Sequence, residues 1–325
     1  MSSVNHDEFA HLKIPLESIL TATSNFSAEN LTEKADFGNA YMGQILWSDE
    51  LIQIDARRFN KDEWDDEKEQ QFWMEISLLS TLRHKNLVSL VGFCDENGEK
   101  IIIIKYESYG SLENYLSNPM YLTWVRRLEI CICVANALSY VHYGNPHDLS
   151  IIHRNIDSNA ILLNDNFEPK LSEFKLSMKT KASQRHDSFH VDKVWDKEGY
   201  TDPTYIKTKC VSHKSDIYSF GVVMFELLCG RKSVISNDTS KYLAPVAITH
   251  YREKRLEYII DWDLWIQMDW ESFNIFAETA YDCLNEEPSQ RPNIDEIVPK
   301  LEKALKLACE NRPVRSLLFS SIFLL

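Results

Sequence analysis

Glycine is what this chain has little of. It holds 9 in 325 residues, where average usage of ~7% would give about 23, so a fold that relies on glycine-rich loops must have lost several here. Long apolar runs are missing too. The longest candidates, residues 101–104 and 317–325, fall short of the ~20 residues of a membrane-spanning helix, which argues against direct membrane insertion. The start, Met-Ser-Ser-Val-Asn, has no secretory core, and Ser2 stands where myristoylation requires glycine, so a cytoplasmic location is expected. Basic residues are outnumbered, 35 Lys plus Arg against 49 Asp plus Glu, for a net charge of −14. That balance argues against a nucleic-acid partner, which would need a dominant basic patch. Seven scattered cysteines make no disulfide framework in a chain this long. Cys131 and Cys133, two apart in a helical run, do not face each other, and no metal is expected there.

What is present has a clear order. Residues 41–54 read as two strand-like runs around a polar turn at 48–50. An acidic segment, 61–69, complements the start of a helix, which Phe72, Ile76, Leu79 and Leu82 continue at helical spacing. Residues 87–93 and 100–106 read as strands joined by Asp95-Glu96-Asn97-Gly98. After Tyr106 the pattern becomes helical, at 112–116, 125–141, 216–228, 272–284 and 294–307. This predicts an α+β chain with an N-terminal extension (1–30), a strand-rich lobe (31–104), a helical lobe (105–307) and a tail (308–325).

Five segments carry a family likeness: Ala22-Thr23-Ser24-Asn25-Phe26-Ser27, Leu82-Arg83-His84-Lys85-Asn86-Leu87-Val88, Gly110-Ser111-Leu112, Ser215-Asp216-Ile217-Tyr218-Ser219-Phe220-Gly221-Val222-Val223 and Gln290-Arg291-Pro292. On these residues the chain resembles the protein kinase fold over about 20–307. Within it the nearest likeness is to plant receptor-like and receptor-like cytoplasmic kinases, related to the Pelle kinases. The resemblance implies a bilobal α+β fold, with a small antiparallel β lobe carrying one main helix and a large helical lobe.

Phosphoryl transfer needs a backbone cradle for phosphates, a lysine held by a helix glutamate, a catalytic aspartate, and an aspartate plus asparagine for metal. The resemblance implies where each should stand, and this chain differs at most of them. The GxGxxG loop reads Glu33-Lys34-Ala35-Asp36-Phe37-Gly38, which leaves one glycine. At the VAIK strand the match is Ile52-Gln53-Ile54-Asp55, so Asp55 stands at the lysine and Gln53 at the small residue over the adenine. Arg57, two residues on and on the same strand face, is the available replacement. Glu75 matches the helix glutamate. HRDxKxxN reads His153-Arg154-Asn155-Ile156-Asp157-Ser158-Asn159-Ala160. The Asn155 amide cannot accept a proton, Asp157 inverts a charge, and Ala160 deletes a metal ligand. DFG reads Glu173-Phe174-Lys175. Thr204 replaces the glutamate that would pair with Arg291, so another group must satisfy that guanidinium. A nucleotide pocket outlined by Gly38, Ala40, Gln53, Ile104 and Leu162 is vestigial on this reading.

The survivors are packing positions. Leu79, Leu90, His153 and Phe174 match the four-residue spine of kinases, and Asp216 matches the aspartate that anchors its base. The expectation is therefore a chain that is not an enzyme: a pseudokinase acting as scaffold, decoy or allosteric partner in plant signalling. It would use no cofactor and no metal, and its partners would be proteins, foremost an active receptor-like kinase. The alternative is an unorthodox ATP-binding serine/threonine protein kinase of weak activity, using Arg57 or Lys175 for the lost lysine and Glu173 for metal. The resemblance also implies that Arg154 receives a phosphorylated residue. Residues 175–197 hold six basic and three acidic side chains, with Thr180, Ser183 and Ser188 among them.

Overall fold

The computed structural model describes residues 6–35, 38–47, 49–144, 148–235 and 240–311. Asp36 and Phe37 of the expected phosphate loop, and the tail from 312 onward, lie outside the described residues. The chain forms two compact units, one of Met1–Gly110 with Leu162–Ser177, the other of Ser111–Ile161 with Met178–Leu325.

The first unit is built on a five-stranded antiparallel sheet. Its strands are β1 (Leu31–Ala35), β2 (Gly38–Trp47), β3 (Glu50–Phe59), β4 (Leu90–Glu96) and β5 (Glu99–Lys105), in the order β1-β2-β3-β5-β4. Helix α1 (Leu16–Ala22) packs Ile19 into a cluster with Ile54, Val91, Ile101 and Ile103. Helix α2 (Asp66–Leu79) starts within the acidic run. The Asp65 side chain accepts the Lys68 amide at 2.8 Å, with Asp66, Glu67 and Glu69 in the first turn, so cap and charge both favour initiation there. Its inner face buries Phe72, Ile76 and Leu79, and Phe72 meets Phe93 of β4 edge to face.

Gly38, the glycine left in the expected phosphate loop, has a local structural reason. It pairs with Phe59 across the hairpin at φ +147°, and a Cβ there would lie 2.1 Å from the Arg58 carbonyl oxygen. No side chain fits at that distance.

The second unit is helical: α3 (Trp124–Ser139), α4 (Pro203–Thr208), α5 (His213–Cys229), α6 (Leu243–Arg252), α7 (Trp262–Trp265), α8 (Trp270–Cys283) and α9 (Ile294–Glu310). Helix α5 is buried nearly all round, the signature of a central helix. Gly221 allows α8 to approach it, since a Cβ would lie 2.6 Å from the Cys283 Cβ. No described helix is long and apolar enough to cross a membrane. Residues 112–116 form only a short 3₁₀ turn, Leu112–Asn114, because the Ser111 hydroxyl takes the Glu113 amide and holds a tight turn there.

Arg291 finds its counter-charge two residues before Thr204. Its Nη1 and Nη2 donate to the two carboxylate oxygens of Asp202 at 2.6 and 2.8 Å, and both side chains are almost sealed from solvent. Asp202 also caps α4 by accepting the Thr204 amide, while the Thr204 hydroxyl donates to the Glu286 carbonyl. Asp202→Ala would leave a buried guanidinium unpaired, and the expected loss is about 3–5 kcal/mol. Thr204→Ala removes one ordinary hydrogen bond and should cost about 1 kcal/mol. Urea unfolding of the two variants checks this, and equal losses would refute the assignment.

Candidate active site

In the first unit the polar residues gather round one guanidinium. Arg57, on β3, is 4% exposed. Its Nη1 donates to Glu173 Oε1 at 2.9 Å and lies 3.7 Å from Glu75 Oε1, and its Nε is 3.6 Å from Asp55 Oδ2. The two longer contacts are ion pairs rather than hydrogen bonds. Glu173 Oε2 holds Lys175 Nζ at 2.6 Å, and Asp55 Oδ1 accepts the Thr32 hydroxyl at 3.0 Å. Strand register places Arg57 between Ala40 of β2 and Ile102 of β5.

Arg57, not Asp55, stands between the helix glutamate and Glu173, and Asp55 lies one pleat earlier against Thr32.

Burial alone would lower the basicity of Arg57, but the carboxylates of Glu173, Glu75 and Asp55 more than reverse this and hold it charged. Burial pushes the Glu75 carboxyl up to about 7, and the Glu173 charge adds to that. Arg57, Lys175 and the Phe174 amide offset it in part. Burial likewise raises Asp55, with Arg57 and Thr32 opposing. Glu173 itself sits at φ +66°, an uncommon backbone region for a residue with a Cβ.

Kinases hold a divalent cation at the position of Glu173. Here both of its oxygens are engaged by cationic nitrogens. Among the described residues no His, Cys, Asp or Glu side chains gather as a metal site. These residues do not fit magnesium. Local positive charge comes from Arg57 and Lys175 instead.

Of the other pocket positions in this unit, Ala40 and Ile104 are fully buried. Gln53 is exposed, with its carbonyl accepting the Tyr106 amide, and Leu162 is half-buried. Leu79, Leu90 and Phe174 are buried.

In the second unit Asp216 anchors the 153–155 loop. Its oxygens accept the His153 and Arg154 amides at 2.7 and 2.8 Å and contact His142 Nε2 at 2.9 Å. Asp157 accepts the Ala160 amide at 2.6 Å and pairs with Lys197 at 2.7 Å. The cation that Asp157 removed from this loop thus returns from another segment. Arg154, Asn155 and Lys197 line a small cavity of about 10 Å³ with Tyr200 and Thr201. Arg154 Nη2 donates to the Tyr205 hydroxyl at 2.9 Å, while its buried Nε makes no hydrogen bond.

Thr180 is not placed to accept phosphate. It lies in the strand Met178–Lys181, paired with Leu149–Ile152, and its buried hydroxyl donates to the Ser150 carbonyl. Ser183 and Ser188 are exposed.

A protein-family profile described as protein tyrosine and serine/threonine kinase matches residues 28–301. The chain belongs to this protein kinase family. Among its curated relatives are three receptor-like protein kinases of Arabidopsis thaliana. ANXUR1 is 37% identical over 300 residues (91% of this chain, 34% of the relative), and ANXUR2 38% over 300 (91% and 34%). HERK 1 is 36% identical over 307 residues (92% and 35%). The chain spans about a third of the length of these relatives.

These matches overturn the expectation of a non-enzyme. Proteins matching along nine-tenths of the chain are named as protein kinases. The substituted residues are therefore read as departures within a kinase. The physical reason agrees for one of them, since the charge counted as lost at Asp55 is present at Arg57.

Stability should depend on pH through Glu75. An ordinary glutamate carboxyl titrates near 4.5 and this one near 7 when folded. Between those values the native state keeps a proton that the unfolded state has released, so this contribution is complete below about pH 4.5 and is lost as pH rises to about 7. Glu75→Gln should flatten that part of the stability–pH curve. An unchanged slope in denaturant titrations would refute it.

Proposed function

We propose that this chain is an unorthodox ATP-binding serine/threonine protein kinase of weak activity, cytoplasmic, acting on protein hydroxyls with a receptor-like kinase as partner. The observation that carries this reading is Arg57, a fixed cation held by Glu75 and Glu173. A guanidinium can meet phosphate oxygens with two parallel hydrogen bonds, so it can hold a nucleotide where a lysine otherwise would. Lys175 adds a second positive charge beside it. In the other unit Asn155 can orient an acceptor hydroxyl, and Lys197 contributes charge to the same cavity.

Two features make the activity weak. An amide at 155 orients but cannot take the hydroxyl proton, and losing general-base help costs about 10²–10⁴ in rate. Asp55, Glu75 and Glu173 also compete with phosphate for the same cations, which lowers nucleotide affinity.

Labelled-phosphate transfer and thermal shifts with ATP test this. Millimolar ATP should raise the midpoint modestly without a divalent metal, and phosphate should enter the chain or a Ser/Thr peptide slowly. Arg57→Lys should retain transfer, and Arg57→Ala should abolish it. Asn155→Ala, which spares the Arg57 cluster, should slow transfer while leaving the ATP-induced shift intact. Incorporation no higher than in Arg57→Ala, with no shift at millimolar ATP, would overturn the proposal.

A further inference from the structure

Lys100, on β5, is enclosed as few lysines are. Its side chain is 14% exposed, and its Nζ lies over three rings, 5.4 Å from the centroid of Trp64, 5.3 Å from Phe72 and 5.7 Å from Trp73. A ring face attracts a cation, and more strongly where water is excluded. Two carboxylates complete the enclosure. Nζ donates to Glu69 Oε1 at 3.0 Å, lies 3.0 Å from Glu69 Oε2, and reaches Asp95 Oδ1, its cross-strand neighbour on β4, at 3.0 Å. The Glu69 oxygens also accept the indole N–H groups of Trp64 at 2.9 Å and Trp73 at 2.6 Å. One carboxylate in the first turn of α2 thus holds the lysine and two of the rings around it.

The enclosure stands on the sheet face that also bears Arg57. Residues 57 and 59 of β3 point to one side. Register sets Ile102 of β5 against Arg57, and Lys100, two residues from Ile102, shares that side. Phe59 meets Phe72 edge to face at 5.6 Å, and Arg57 Nη1 lies 3.7 Å from Glu75 Oε1. Helix α2 therefore touches this face in succession through Glu69 on Lys100, Phe72 on Phe59 and Glu75 on Arg57. The first and last of these are ion pairs, about 9 Å apart along the helix.

The two pairs are unequal. At 3.7 Å the Glu75 contact is beyond hydrogen-bond reach, and Glu75 shares Arg57 with Glu173, which is nearer at 2.9 Å. Lys100 meets both oxygens of Glu69 closely. Between the pairs Phe72 is fully buried and also packs edge to face on Trp64, Trp73 and Phe93. A close-packed core transmits a displacement rather than absorbing it. The place of α2 on the sheet is thus set at Glu69 and inherited at Glu75.

We propose that Lys100 is a positioning residue for the Arg57 cluster: its charge, enclosed by Trp64, Phe72, Trp73, Glu69 and Asp95, fixes how α2 lies on the sheet and so how closely Glu75 approaches Arg57. One consequence rests on the ATP-binding reading above, namely that Lys100 sets how much of Arg57 stays open to phosphate. The positioning itself does not depend on nucleotide.

Hydrogen exchange of the full chain without nucleotide tests it, so the outcome is readable even if ATP does not bind. Lys100→Met keeps most of the stem and removes the charge. Amides of residues 76–79, beyond Glu75, should then exchange about tenfold or more faster, with α5 amides of the second unit unchanged. Lys100→Arg keeps a charge that an aromatic cage also accepts, and should return exchange to within about twofold of the unsubstituted protein. No acceleration, or acceleration confined to residues 66–71, would overturn the proposal, because Lys100 would then clamp only the first turn. Equal acceleration in Lys100→Arg would also overturn it, since packing of the stem rather than charge would be responsible. Should Lys100→Met unfold the first unit, Glu69→Gln carries the same test: it keeps the rings and weakens the ion pair, and unchanged exchange at 76–79 would overturn the proposal.

Discussion

One buried polar cluster of the first unit is arranged round the guanidinium of Arg57. β3 delivers it, α2 brings Glu75, and the segment after Leu171 brings Glu173 and Lys175. Three carboxylates this close would not fold inward without a cation among them, since an uncompensated buried charge is among the costliest defects a core can hold. The same need explains the left-handed backbone at Glu173. That conformation is strained for a glutamate, and it is tolerated where two ion pairs fix the side chain.

A pattern recurs at three positions: charge is moved rather than discarded. The cation missing at Asp55 is at Arg57. The one missing at Asp157 is at Lys197. The anion missing at Thr204 is at Asp202, which closes on Arg291 with both oxygens. At Arg57 and at Asp202 the partner groups, Glu75 and Arg291, are retained and buried, so a burial penalty falls on any sequence that leaves them unmatched.

The sequence made the architecture readable because long apolar periodicities are robust signals. Helices α2, α3, α5, α8 and α9 were all visible in it. Helix α6 was not, since it carries Pro245 near its start and the β-branched Val246, Ile248 and Thr249, which blunt the helical signature. The start of α8 at Trp270 and the short α7 were hidden for another reason: an exposed tryptophan leaves no apolar-in, polar-out pattern. Which of Asp55 and Arg57 meets the helix glutamate was left open by the sequence. Residues 53, 55 and 57 share one face of β3, so alternation cannot say which of them meets α2, and only cross-strand pairing decides it. The Asp202–Arg291 pair was equally invisible, because a motif match names a missing residue but not the neighbour that replaces it.

The Arg57 cluster also limits the chemistry open to this domain. With Glu75 protonated, Asp55 and Glu173 balance Arg57 and Lys175, two charges against two. With Glu75 ionised there are three against two, and the cluster itself repels a further anion. A triphosphate must therefore take Arg57 and Lys175 away from carboxylates already held at hydrogen-bond and ion-pair distance. Its gain is the difference between two strong charge-assisted interactions, not the whole of one. An arginine cannot ease this by giving up its proton, whereas a lysine in the same surroundings could shift its pKa. On the proposed reading, the ion pairs that hold Arg57 in place are thus the ones that limit its affinity for a nucleotide.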